Sequence, residues 1–154
     1  MRALPVSACL LLVVRVVLEA QAAPTTSAPL QWGPAPPIFP AGAKMAVVSG
    51  DPSKRAPFTV ELALPAGYKV PPHFHPTSER VEVKQGTLFV GMGDAIDTKN
   101  AEALTVGPGT VIRAKLHHYA FTKAPATISV TALGPFDMTY VNPADDPQKA
   151  GAKR

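Results

Sequence analysis

Short runs of alternating residues follow one another along most of the chain. In FTVELAL, which starts at Phe58, and in ERVEV, which starts at Glu79, every second residue falls on the same face of an extended strand. Five further runs rich in β-branched and aromatic residues are separated by Gly, Pro, Asp or Asn. No stretch after Ala23 has a period of 3.6 residues. This pattern predicts an all-β sandwich or barrel with little helix.

The N-terminal residues 1–22 have the features of a secretory signal peptide. A basic residue near the start precedes a mostly apolar run, 9–17, and a small-x-small sequence ends at Ala22. Arg15 interrupts the run, so an amphipathic helix that is retained is the alternative. The run is too short to span a bilayer. We therefore expect a secreted or periplasmic protein, cleaved before Ala23 and free of the membrane afterwards.

Charge and cysteine content exclude several classes of function. The chain has a formal net charge of +4 but no dense run of Lys or Arg, which argues against nucleic-acid binding. Its single cysteine, Cys9, lies within the predicted signal peptide. The mature protein would then have neither a disulfide nor a catalytic thiol, as suits an oxidising compartment.

A proline-rich segment, 23–43, precedes the strand-like runs. Its six prolines exclude a helix and predict an extended arm, either a free linker or a strap packed on the domain. Trp32 and Phe39 favour the strap, because a solvated linker has little use for large apolar side chains. The arm is followed by one predicted β-barrel domain, 44–142, and by a polar tail, 143–154, which we expect to fray.

All four histidines lie in two pairs, each at the start of a predicted strand. His73 and His75 share a face because strand side chains alternate. Glu79 lies on the apolar face of the next strand, where an ionised carboxylate is costly unless it is paired or holds a metal. One of the adjacent His117 and His118 can also face inward. These side chains suit a divalent ion of Fe, Mn, Ni, Co, Cu or Zn.

The segment 67–86 resembles the first motif of the cupin superfamily. The residues that this motif specifies stand at every position: Gly67, His73, His75, Glu79 and Gly86.

The second cupin motif is matched less completely. Counted from Gly107, its histidine position falls on His118. Arg113 stands where the motif has proline, Lys115 where it has glycine, and Thr122 where it has asparagine.

The resemblance, which covers roughly residues 67–122, implies a double-stranded β-helix, or jelly-roll barrel, after the extended arm. It also implies that His73, His75, Glu79 and His118 ligate a metal and leave one or two coordination positions open. The chain is similar to small, exported single-domain bacterial cupins. Because small cupins usually form dimers, a homodimer is expected.

Five further residues are candidates for contacting a substrate or supporting the ligands. Arg113 and Lys115 either attract an anionic substrate or point to solvent. His117 is a solvent-facing neighbour, a support for a ligand, or an alternative ligand. Phe89 either lines the interior or packs in the core, and Thr122 shares the face of His118.

The resemblance leaves more than one function open, because the fold alone does not choose among chemistries. A metal-dependent enzyme acting on a small molecule is the first hypothesis. A dioxygenase is favoured because no general base is evident outside the ligand set, since Glu82 faces outward by parity. The alternative is a module that binds or senses a metal and a small ligand without catalysis. A purely structural barrel is the least favoured.

Overall fold

The alternating runs form strands that pair into two antiparallel sheets. The computed structural model describes residues 29–150; the predicted signal peptide, residues 23–28 of the arm and residues 151–154 of the tail lie outside these residues. The strands are β1 (Gly33–Pro34), β2 (Lys44–Ser49), β3 (Pro57–Leu64), β4 (Lys69–Phe74), β5 (Glu79–Gln85), β6 (Leu88–Met92), β7 (Glu102–Leu104), β8 (Thr110–Ile112), β9 (His118–Phe121), β10 (Ala126–Leu133) and β11 (Thr139–Tyr140).

The two sheets enclose a barrel. One sheet has the order β1-β2-β3-β10-β5-β8 and the other the order β11-β4-β9-β6-β7. Within the described residues, helix is confined to a 3-10 turn, Pro143–Asp145, and a single turn of α-helix, α1 (Pro147–Ala150). No helix in residues 29–150 is long and apolar enough to cross a membrane. The prediction of an all-β jelly-roll barrel is confirmed.

The period-two pattern determines which side chains fill the interior. Along β3, Phe58, Val60, Leu62 and Leu64 are buried, while the residues between them face outward. Burying one such side chain contributes roughly 1.5–3 kcal/mol to folding. On the partner strand β10, Ala126, Ile128 and Val130 are buried at alternate positions and continue this wall, although Ser129 is buried as well.

The part of the arm that the structure describes packs against the barrel. Residues 35–43, which we call the strap, follow the two-residue strand β1 and run into β2. Phe39, a residue of the strap, is buried and stacks on Phe136, with 5.6 Å between the ring centres. Trp32 lies before the strap and is 41% exposed, so Phe39, and not Trp32, anchors the segment.

Two tyrosine hydroxyls fasten the strap to the barrel. The hydroxyl of Tyr68 donates to the carbonyl oxygen of Pro40 at 2.6 Å, and that of Tyr140 donates to Ile38 at 2.7 Å. Burial raises the pKa of Tyr68 to about 12, and it raises the pKa of Tyr140 as well. Both hydroxyls therefore keep their protons, and both bonds are present, throughout the physiological pH range.

Candidate metal centre

Three histidines and one glutamate meet inside one end of the barrel. His73 and His118 lie directly opposite each other in the β4–β9 pair, and His75 follows β4 immediately. Glu79 begins β5 in the other sheet. All four are at most 7% exposed. The group therefore spans the two sheets, with its imidazoles on one side and its carboxylate on the other.

Each imidazole is oriented by a hydrogen bond to the backbone. The Nδ1 atom of His73 lies 2.7 Å from the carbonyl oxygen of Pro71. The Nδ1 atom of His75 lies 2.7 Å from the carbonyl oxygen of Asp137, and that of His118 lies 3.0 Å from the carbonyl oxygen of Leu116. Because a carbonyl oxygen only accepts, each Nδ1 carries the proton of the neutral ring. The lone pair is then on Nε2, as in histidines that ligate metals.

The nitrogen atoms lie at distances that suit a shared ion. One nitrogen from each of His73, His75 and His118 lies within 4.8 Å of the others. The carboxylate oxygens of Glu79 lie 3.4 Å from Nε2 of His118 and 3.6 Å from Nε2 of His75. Ligands about 2.1 Å from one ion and 90–110° apart are roughly 3.0–3.4 Å from each other. The three histidines could therefore hold a divalent metal, with the glutamate beside them.

The surroundings keep His73 neutral. Burial, and then the neighbouring rings of His118 and His75, hold the pKa of His73 well below its usual value. The ring of His73 is 4.2 Å from that of His118 and 5.0 Å from that of His75, centre to centre. A neutral imidazole is the form that binds a metal, so the free protein is already in the correct protonation state at this position.

A small cavity adjoins the four side chains. Its volume is about 50 Å³. Its wall includes Ala120 on β9, Phe39 from the strap, and Phe136 and Met138 from the segment before β11. No pattern in the sequence predicted that Phe136 or Met138 would line the site. Their apolar character within a turn-rich segment was the only signal.

The loop before β9 supports the ligands through its backbone. The amide of Lys115 donates to the carbonyl oxygen of His75 at 2.8 Å, and that of Ala114 donates to the hydroxyl of Ser78 at 3.0 Å. These bonds hold the turn that carries the chain from His75 to Glu79. The side chains of Arg113 and Lys115 are exposed and do not line the cavity, so both point to solvent.

Lys115 has a positive φ of 62°, which a glycine would adopt with less strain. We expect Lys115→Gly to be as stable as the wild type or up to about 1 kcal/mol more stable, whereas Lys115→Val should lose about 1–2 kcal/mol. Arg113→Gly is the matched control, because Arg113 is equally exposed but has no positive φ, and it should lose about 0.5–1 kcal/mol. Urea denaturation measures all three. A Lys115→Gly protein that is less stable than Lys115→Val would contradict backbone strain at Lys115.

His117 faces away from the other histidines. Its Nδ1 lies 2.5 Å from a carboxylate oxygen of Asp94, and its ring stacks on Phe74 at 5.1 Å. Its side chain is 40% exposed. Adjacent strand residues point to opposite faces, so the inward position of His118 sends His117 outward. The structure thus brings His118, and not His117, to the histidine cluster.

Phe89 and Thr122 also lie outside the cavity wall. Phe89 stacks on Phe121 at 5.0 Å on the outer face of its sheet, which corrects the alternative that it lines the interior. The inward residues of β6 are its neighbours Leu88 and Val90. Thr122 is buried, but its hydroxyl donates to the carbonyl oxygen of Pro65 at 2.6 Å and so belongs to a turn.

Comparisons with known proteins concern the overall structure. Neither protein-family profiles nor the sequences of curated proteins match this chain. A candidate acetylacetone dioxygenase from Methylibium petroleiphilum is similar in structure, with a TM-score of 0.58 and 17% identity over 88% of this chain and 90% of that one.

Two other solved structures have the same architecture. The polyketide cyclase RemF from Streptomyces resistomycificus has a TM-score of 0.57 and 18% identity, covering 71% of this chain and 78% of its own. An RmlC-like cupin from Shewanella frigidimarina has a TM-score of 0.54 and 15% identity, covering 68% and 83%. At such low identity these likenesses establish the fold and leave the chemistry open.

Proposed function

We propose that this chain, which has the cupin fold, binds one divalent transition metal through His73, His75, His118 and Glu79 and is a metal-dependent enzyme acting on a small molecule. The observation that carries the proposal is the arrangement of the three buried imidazoles. Each has its Nδ1 proton held by a backbone carbonyl, and their remaining nitrogens lie close together beside a carboxylate. That is the arrangement expected of histidines that are oriented to bind a metal.

Glu79 is the fourth ligand in this proposal. Its side chain is buried, and its two oxygens lie 3.4 and 3.6 Å from histidine nitrogens, too far for strong hydrogen bonds. A buried carboxylate without a close cationic partner is costly. A divalent ion between the carboxylate and the imidazoles would remove that cost. Three neutral imidazoles and one carboxylate fit Fe, Mn, Ni, Co, Cu or Zn.

A metal in this position supplies Lewis-acid or redox chemistry to a molecule beside it. The residues of the chain hold the ligands in the neutral, oriented state and keep water out with an apolar wall. Four protein ligands would leave one or two positions of a five- or six-coordinate ion free for a further molecule. An open position is typical of a site that binds a further molecule, and a structural site is usually closed.

We favour dioxygenase-like chemistry within this proposal. The side chains that line the cavity offer no acid or base besides the four proposed ligands. Reactions that need a separate general base are therefore poorly served, whereas an oxygenation needs none. The Methylibium neighbour is described as a candidate dioxygenase, and the Streptomyces neighbour as a polyketide cyclase.

The alternative is a module that binds a metal and a small ligand without catalysis. The same lack of an acid or base in the cavity wall supports it. The two functions differ in turnover and not in binding.

Oxygen consumption by separately metal-loaded samples distinguishes the two functions. We expect oxygen uptake with a small-molecule panel for the Fe(II) or Mn(II) protein, none for the Zn(II) protein, and none for His75→Ala. His117→Ala is the matched control and should keep the uptake. Binding of metal and ligand without turnover in any sample would favour the non-catalytic module. A protein that takes up no stoichiometric metal would reject both.

Export and dimer formation belong to the same proposal. The signal-like residues 1–22 support a secreted or periplasmic location, and resemblance to small cupins supports a homodimer. N-terminal sequencing of the exported protein should find Ala23 first, and a full-length exported chain would contradict cleavage.

A further inference from the structure

The wall of the cavity is apolar apart from the four proposed metal ligands. Within residues 29–150, the other side chains that line it are aliphatic residues from both sheets, together with Phe39, Phe136 and Met138. None of these has a hydrogen-bonding group or a charge. Any polar atom of a bound ligand therefore has to face the metal end of the cavity.

No Lys or Arg side chain of residues 29–150 lines the cavity. Arg113 and Lys115 are exposed on the loop before β9. The ammonium group of Lys123 lies over the ring of Phe89, 4.4 Å from its centre, on the outer face of the sheet. A second anionic group on a ligand would consequently be buried without a partner, which is strongly unfavourable.

The cavity is also short. Its volume of about 50 Å³ is far below the roughly 300–1,000 Å³ of pockets that take drug-sized ligands. Two aromatic rings, Phe39 from the strap and Phe136 beside it, form part of the wall. The ring of Phe136 is 5.5 Å from that of His75, centre to centre. Long chains therefore meet a wall of packed rings and aliphatic groups.

We infer that the site takes a ligand with a single metal-binding head and a short, uncharged aliphatic body. This inference rests on the proposed metal site. It excludes sugars, phosphate esters, dicarboxylates and long acyl chains. The metal recognises the head, and the apolar wall selects the body by its size and lack of charge.

A set of hydroxamates with the same chelating head tests this selection. The protein is loaded with Co(II), and its visible spectrum reports a ligand that binds the ion. Acetohydroxamate, with a methyl body, should change the spectrum. Malonic monohydroxamate, with a carboxylate on its body, and octanohydroxamate, with a long chain, should each bind about 30- to 100-fold more weakly.

Ala120 offers a variant that reduces the cavity. It lies two residues from His118 on the same strand face and lines the cavity. Ala120→Ile, or the smaller change Ala120→Val, should keep the Co(II) spectrum but weaken acetohydroxamate binding at least about tenfold, because the added methyl groups occupy the ligand's space. Ala103→Ile is the matched control, since Ala103 is exposed on β7 of the same sheet.

The outcomes test the metal site and the selection of its ligand separately. A protein without a Co(II) spectrum would show that the metal site itself is wrong. A normal Co(II) spectrum with equally tight binding of the carboxylate or octanoyl probe would overturn the inference and leave the metal site standing. Unchanged acetohydroxamate binding in a folded, Co(II)-bound Ala120→Ile protein would also overturn it.

Discussion

His118→Ala should lower the affinity for a divalent metal by on the order of 100- to 1,000-fold, whereas His117→Ala should leave it unchanged. The magnitude follows if a metal-binding free energy of about 10–16 kcal/mol is shared among four ligands. The two histidines are neighbours in the chain, but only His118 is buried beside His73. A competition titration with a chromophoric chelator measures both affinities.

The contrast between these neighbours makes the test specific. Both variants remove one imidazole from the same short segment, so a loss of affinity in His118→Ala alone reports the inward position of that side chain. Equal loss of metal in both variants, or loss only in His117→Ala, would contradict the assignment. Glu79→Gln extends the series, because it keeps the size of the side chain and removes its charge. A ligand role for Glu79 predicts a weaker but measurable affinity in that variant.

Phe39→Ala should lower the free energy of unfolding by about 3–5 kcal/mol. Phe39 is 7% exposed and stacks on Phe136, and its ring forms part of the cavity wall. Truncation removes this apolar burial and leaves a void that the fastened strap cannot readily fill. Urea denaturation followed by circular dichroism measures the change.

Trp32→Ala is the matched control for the strap. It also truncates a large aromatic side chain of the arm, but Trp32 is 41% exposed and lies before the strap. We expect a loss of no more than about 1 kcal/mol. If Phe39→Ala proves as mild as Trp32→Ala, the strap does not stabilise the barrel.

The alternation of apolar residues was sufficient to predict the strands and part of the site. In β3 the large apolar residues fall on one face only, so the inward side is unambiguous. The same parity put His73 and His75 together, and both are buried side by side in the structure. The choice between His117 and His118 needed the spacing of the second motif, because parity requires only that one of two adjacent residues faces inward.

Alternation does not predict which side chains face inward where both faces of a strand are apolar. In β6, Leu88, Phe89 and Val90 follow one another, and nothing local says which of them turns inward. The pairing of β6 with β9 decides it, by placing Val90 opposite Ala120. The position of Phe39 in the cavity wall likewise depends on tertiary contacts. Both are properties of pairing between distant segments, which local propensity does not encode.

A crystal structure with anomalous scattering data collected at the absorption edge of the bound metal tests the metal centre most directly. We predict one strong anomalous peak per chain, about 2.0–2.2 Å from Nε2 of His73, His75 and His118 and from a carboxylate oxygen of Glu79. A metal-reconstituted crystal with no peak among these residues, or with its peak at His117 and Asp94 on the outer face, would contradict the account.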